Sequence, residues 1–83
     1  VLCRDLFKLM ASYRISHGDM KATNFLLQDK ELYVLDLDSM VRSRSRESFT
    51  GKFSKDLKRF RKNWVGTSME PKIETLLAEA AKY

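Results

Sequence analysis

His17, Asp19, Lys21 and Asn24 fall inside one short stretch, HGDMKATNF (His17–Phe25), and the apolar run VLDLD (Val34–Asp38) ends on Asp36 and Asp38. Packing alone gives no reason to place so many polar side chains in so short a span. Their chemistry does. A carboxylate can orient a hydroxyl and take its proton, carboxylate and amide oxygens can hold a hard divalent cation, and an ammonium can neutralise a nearby anion. Such groups act together only where the surrounding elements make them converge on one ligand.

The elements are legible from spacing. Leu2, Leu6, Leu9, Met10 and Tyr13 share a helical stripe with Arg4, Asp5, Lys8 and Ser12 off it, which predicts a helix ending near Tyr13 or Arg14. FLLQ (Phe25–Gln28) and ELYVLDL (Glu31–Leu37) are short apolar runs separated by Asp29 and Lys30, the pattern of a β-hairpin. Residues 39–52 are polar, include RSRSR (Arg42–Arg46) and reach Gly51, which predicts a basic surface loop. Ser54 can cap a helix over about 54–65, with Leu57, Phe60 and Trp64 on one face and Gly66 as its stop. A last helix over about 69–82 starts near Ser68, accepts Pro71 in its first turn and buries Ile73, Leu76, Leu77 and Ala80. The expected class is α+β, with the polar cluster in a loop, 15–24, between the first helix and the hairpin.

The chain has 83 residues, enough for one small domain with a limited core and marginal stability. Its first residues already read as the middle of an amphipathic helix, so a piece of a longer protein is expected. A net charge of +5 with 33% charged residues favours an anionic partner: nucleic acid, acidic lipid or a phosphorylated small molecule. Cys3 is the lone cysteine, which excludes a disulfide framework and a thiolate metal cluster within the chain and fits a reducing cytosol, where it would pack as a small apolar residue. No secretory signal is visible and no apolar run nears the roughly 20 residues that span a bilayer, so membrane contact is expected to be peripheral.

His17, Asp19 and Asn24 match H-x-D-x-x-x-x-N, and Asp36 follows at the end of the second expected strand. This resembles the catalytic loop and metal-binding aspartate of the protein-kinase-like fold. Gly18, where protein kinases usually carry arginine, resembles the small-molecule branch that includes aminoglycoside and choline kinases. The longer strings ISHGDMKATNFLL, YVLDLDSM and KDLKRFRKNW, in that order between Leu6 and Trp64, are similar to the lipopolysaccharide kinase (Kdo/WaaP) family.

That resemblance implies a role for each residue. Asp19 would be the catalytic base, and Asn24 and Asp36 the magnesium ligands. Lys21 would neutralise charge on the transferring phosphoryl group and contact the nucleotide. Asp38, at the place of the glycine in D-F-G, would be a further metal carboxylate or a solvated acid. His17 would brace the loop. Asp56 would accept hydrogen bonds from the loop backbone, or serve as a first-turn acid favoured by the helix dipole. Arg42, Arg44 and Arg46 would engage phosphates or carboxylates of the acceptor, or face water. Lys55, Lys58, Arg59, Arg61 and Lys62 would rest on anionic lipid or face water.

The implied protein is the C-terminal-lobe part of a kinase-like domain. It would transfer the γ-phosphoryl of ATP, with Mg2+, to a hydroxyl of Kdo or heptose in the lipopolysaccharide inner core, in the cytoplasm and peripherally on the inner membrane. The three glycines form no phosphate loop, and no strand lysine with a helical glutamate partner precedes the catalytic loop, so the N-terminal lobe is absent and the chain alone is expected to be inactive. One alternative is another small-molecule kinase with a different alcohol acceptor. The other is a basic nucleic-acid-binding module using RSRSR, whose binding would depend strongly on salt but which leaves the spacing of Asp19, Asn24 and Asp36 unexplained.

Overall fold

The computed structural model describes residues 1–83. The chain runs α1 (Cys3–Tyr13), β1 (Ile15–Ser16), a 3-10 turn (Ala22–Asn24), β2 (Phe25–Gln28), β3 (Glu31–Val34), β4 (Val41–Arg42), α2 (Arg46–Lys62) and α3 (Glu70–Ala80). This is a small α+β architecture of three helices and two antiparallel two-stranded sheets, β2 with β3 and β1 with β4. No helix is long and apolar enough to cross a membrane.

α1 buries Cys3, Leu6, Phe7, Met10 and Ala11. Its buried face is turned from the one the stripe predicts: Leu9 is 48% and Tyr13 55% exposed, while Phe7 is fully buried. The choice is made by aromatic packing, because Phe7 meets Phe60 and Phe53 edge-on at 5.2 and 6.3 Å between ring centroids. Arg14 ends the helix with a left-handed backbone, its N–H returning to the Met10 carbonyl.

The hairpin forms in the expected register, pairing Phe25 with Val34 through Gln28 with Glu31. Asp29 and Lys30 both take positive φ, 52° and 65°, as a two-residue turn matched to strand twist requires. The expected second strand stops at Val34, so Leu35, Asp36 and Leu37 lie beyond the ladder. Val34 N–H donates to the Val1 carbonyl at 2.8 Å, and Leu2 bridges Tyr33, so the chain start extends the hairpin.

The largest departure from expectation lies in 39–52. Of the predicted loop only residues 39–45 precede the helix, and within them Val41–Arg42 forms β4. Ser45, not Ser54, caps α2, its Oγ accepting from the Ser48 N–H at 3.1 Å, and the helix runs through Gly51 to Lys62. Phe49, Phe53, Asp56 and Phe60 form its buried face, while Leu57 and Trp64 are half-buried. A glycine inside a helix costs about 1 kcal/mol. Burial of Phe49 and Phe53, at roughly 1.5–3 kcal/mol for a large apolar side chain, outweighs that cost.

Arg61 and Glu74 join α2 to α3 by paired hydrogen bonds of 2.7 and 2.6 Å, which hold the guanidinium pKa above its ordinary value. Phe25 and Trp64 complete the aromatic core around Phe60, at 5.1 and 6.0 Å. This core lies under the strand that follows the polar loop.

Candidate active site

The loop after β1 is held from several elements at once. Asp56, 5% exposed on α2, accepts the backbone N–H of His17 at Oδ2 (2.7 Å) and of Gly18 at Oδ1 (2.9 Å). No cation pairs with this carboxylate; two amide dipoles satisfy it instead. Ser39 Oγ donates to the His17 carbonyl at 2.9 Å, and Asn63 Nδ2 donates to the Met20 carbonyl at 2.7 Å. Gly18 has φ +85°, a conformation that strains any L side chain.

The His17 ring is fully buried and joins two segments. Its Nδ1 accepts the Asp19 N–H at 3.1 Å, so the ring proton resides on Nε2, which donates to the Asp36 carbonyl at 2.5 Å. One neutral tautomer thus fixes the backbone at both Asp19 and Asp36. The short β1–β4 ladder supports this join, because pairing Ser16 with Val41 returns the chain to the loop shortly after Asp36.

Asn24 is 8% exposed, and its Nδ2 donates to the Asp19 carbonyl at 2.7 Å, leaving Oδ1 as its free acceptor. The Leu35 N–H donates to the Asn24 carbonyl at 2.9 Å, which sets Asn24 beside the segment that carries Asp36. Asp36 is half-buried, and its Oδ1 accepts the Asp38 N–H at 3.0 Å. Asp38 is exposed. Lys21 Nζ stands 3.6 Å from Asp19 Oδ2 with both side chains well exposed, a contact of little energetic weight in water.

The basic residues divide. Arg42 and Arg44 are exposed and without ion pairs. Arg46 stands in the first turn of α2 rather than in a loop; its Nη1 donates to the Ala11 carbonyl at 3.0 Å and its guanidinium covers the Phe49 ring at 5.8 Å. It closes α1 onto α2. Ser39 and Asn63, to which the sequence analysis gave no role although both lie in the strings YVLDLDSM and KDLKRFRKNW, clamp the loop. Cys3 is buried as expected, and desolvation pushes its thiol pKa up to about 12.

The arrangement presents the Asp19 carboxylate on a loop whose backbone is tied to Asn24 and, through His17, to Asp36. No three His, Cys, Asp or Glu side chains approach closely enough to hold a metal ion by themselves. Asn24 Oδ1 and the Asp36 carboxylate suit a smaller protein contribution, such as Mg2+ accepts when phosphate and water oxygens supply its other ligands. Comparison with protein-family models, curated proteins and solved structures finds no match.

Proposed function

We propose that the chain is the catalytic-loop part of a small-molecule kinase that transfers the γ-phosphoryl of ATP to a sugar hydroxyl, with the lipopolysaccharide inner core as the acceptor class. The observation that carries this reading is the His17 bridge, which ties the backbone of Asp19 to that of Asp36. Asn24 also bonds to both segments, its Nδ2 donating to the Asp19 carbonyl and its main-chain carbonyl accepting the Leu35 N–H. A core buried for stability alone has no need to join these two loops through a buried imidazole.

Asp19 receives the proton of the acceptor hydroxyl as its oxygen attacks the γ-phosphorus. The bond from that phosphorus to the bridging oxygen breaks, ADP leaves, and a phosphate monoester forms; the proton then passes from Asp19 to solvent. Asn24 and Asp36 would hold Mg2+, which supplies neutralisation of phosphate charge. Lys21, already directed to Asp19, adds positive charge at the same place. The resemblance to the Kdo/WaaP family supports the acceptor, and the exposed basic residues suit an anionic one.

The test is phosphoryl transfer from labelled ATP to a Kdo-containing inner-core oligosaccharide by the full-length gene product. Labelled acceptor, absent without magnesium, is the expected result. Transfer to aminoglycoside or choline but not to the oligosaccharide would reassign the acceptor, and no transfer to any of them would reject the kinase reading.

A further inference from the structure

On the α2 side of the catalytic loop lies a cavity of about 410 Å³ walled by Gly18 and Met20, the neighbours of Asp19, and by Lys52, Lys55 and Arg59 of α2. The three cations recur at helical spacing, so they form one stripe along the cavity. The acid in the wall is Asp56, whose two oxygens are taken by the His17 and Gly18 amides. Lys52, Lys55 and Arg59 have no carboxylate within ion-pair distance. The wall therefore sets three cations against the single Asp56 carboxylate and carries a net positive charge.

Arg59 is also oriented. Its Nη1 donates to Asn63 Oδ1 at 2.5 Å, while Asn63 Nδ2 holds the Met20 carbonyl. The guanidinium is thus tied through one amide to the backbone next to Asp19, and its remaining N–H groups are free for a planar anion.

We infer that this cavity seats an anionic group, carboxylate or phosphate, carried by the acceptor. The inference rests on the kinase reading for the word acceptor, but the binding it describes does not require catalysis. It assigns to Lys52, Lys55 and Arg59 the anion recognition that the sequence alone suggests for Arg42, Arg44 and Arg46. Gly18 and Met20, which flank Asp19 in the chain, belong to the cavity wall, so an anion held here sits against the loop that carries Asp19.

The experiment is calorimetric titration of the full-length gene product with free Kdo, with its uncharged methyl ester, and with inorganic phosphate, in wild type and in the Lys52→Gln/Lys55→Gln variant and Arg59→Gln. Urea unfolding of each variant checks that it is folded. Kdo affinity at least about tenfold weaker in the variants, with weak ester binding that the substitutions leave unchanged, is expected. Phosphate competing with Kdo would assign the seat to either anion; phosphate failing to compete would restrict it to the carboxylate. Equal Kdo affinity in wild type and variants, or no Kdo or phosphate binding to wild type, would overturn the proposal. Kdo binding that depends on these cations in a protein without phosphoryl transfer would reject the kinase reading and leave the anion seat standing.

Discussion

The buried His17 ring donates from Nε2 to the Asp36 main-chain carbonyl at 2.5 Å while its Nδ1 accepts the Asp19 N–H at 3.1 Å. His17→Ala would remove both bonds and leave a cavity beneath the loop. A loss of about 2–4 kcal/mol is expected, from a vacated buried site and an unpaired backbone group. Asp19→Asn, at a well-exposed side chain, should shift stability by no more than about 0.5 kcal/mol. Urea unfolding of the two variants separates a residue that braces the loop from one that does not, and equal small shifts would remove His17 from the bracing role.

Asp56→Ala leaves the His17 and Gly18 amides without acceptors, at roughly 1–3 kcal/mol for each group that stays buried. Asp56→Asn keeps one acceptor oxygen but turns an N–H toward the other amide, so an intermediate loss is expected. The order wild type, Asn, Ala in urea midpoint checks this. An Ala variant as stable as wild type would mean that the loop does not need Asp56.

Burial pushes the Cys3 thiol from an ordinary 9.0 up to about 12. The folded state keeps a proton that the unfolded chain releases above pH 9, so the unfolded state binds fewer protons and stability falls as pH rises between about 9 and 12. Cys3→Ala should remove that part of the slope, which isolates it from lysine titration. Alkylation by iodoacetamide at pH 8 should be at least about tenfold slower in the folded protein than in urea, because the thiolate is the nucleophile. Equal rates would show that Cys3 is not buried.

Asp36→Ala removes one of the two oxygen donors assigned to magnesium, so binding of a non-hydrolysable ATP analogue should weaken about tenfold or more with Mg2+ present and change little in EDTA. Calorimetry on the full-length gene product reads both conditions. Identical affinities in wild type and variant with Mg2+ would take Asp36 out of the nucleotide site.

Much of this was legible in the sequence where a residue's chemistry is local. The hairpin was announced by two apolar runs and a two-residue turn, and the polar loop by its composition. The bond from Asp56 to the loop backbone was foreseen through the family resemblance. The start of α2 was not, because Gly51 and the Arg/Ser alternation mask a stripe, Phe49, Phe53 and Phe60, that only the packed core makes decisive. The buried side of α1 was misjudged for a related reason: apolar residues occur on more than one side of that helix, and Phe53 and Phe60 select the side bearing Phe7. Two-residue strands such as β1 and β4 carry no periodicity at all, and their pairing is a consequence of tertiary contact.

Asp19 carries the proposed chemistry. Phosphoryl transfer from labelled ATP to the inner-core oligosaccharide, measured at saturating nucleotide for wild type and Asp19→Asn in the full-length gene product, tests it most directly. Measurable transfer is expected in wild type, and a turnover lower by about 10²-fold or more in the variant, the scale of losing a general base, with nucleotide affinity nearly unchanged. Wild-type turnover in the Asp19→Asn protein would contradict it.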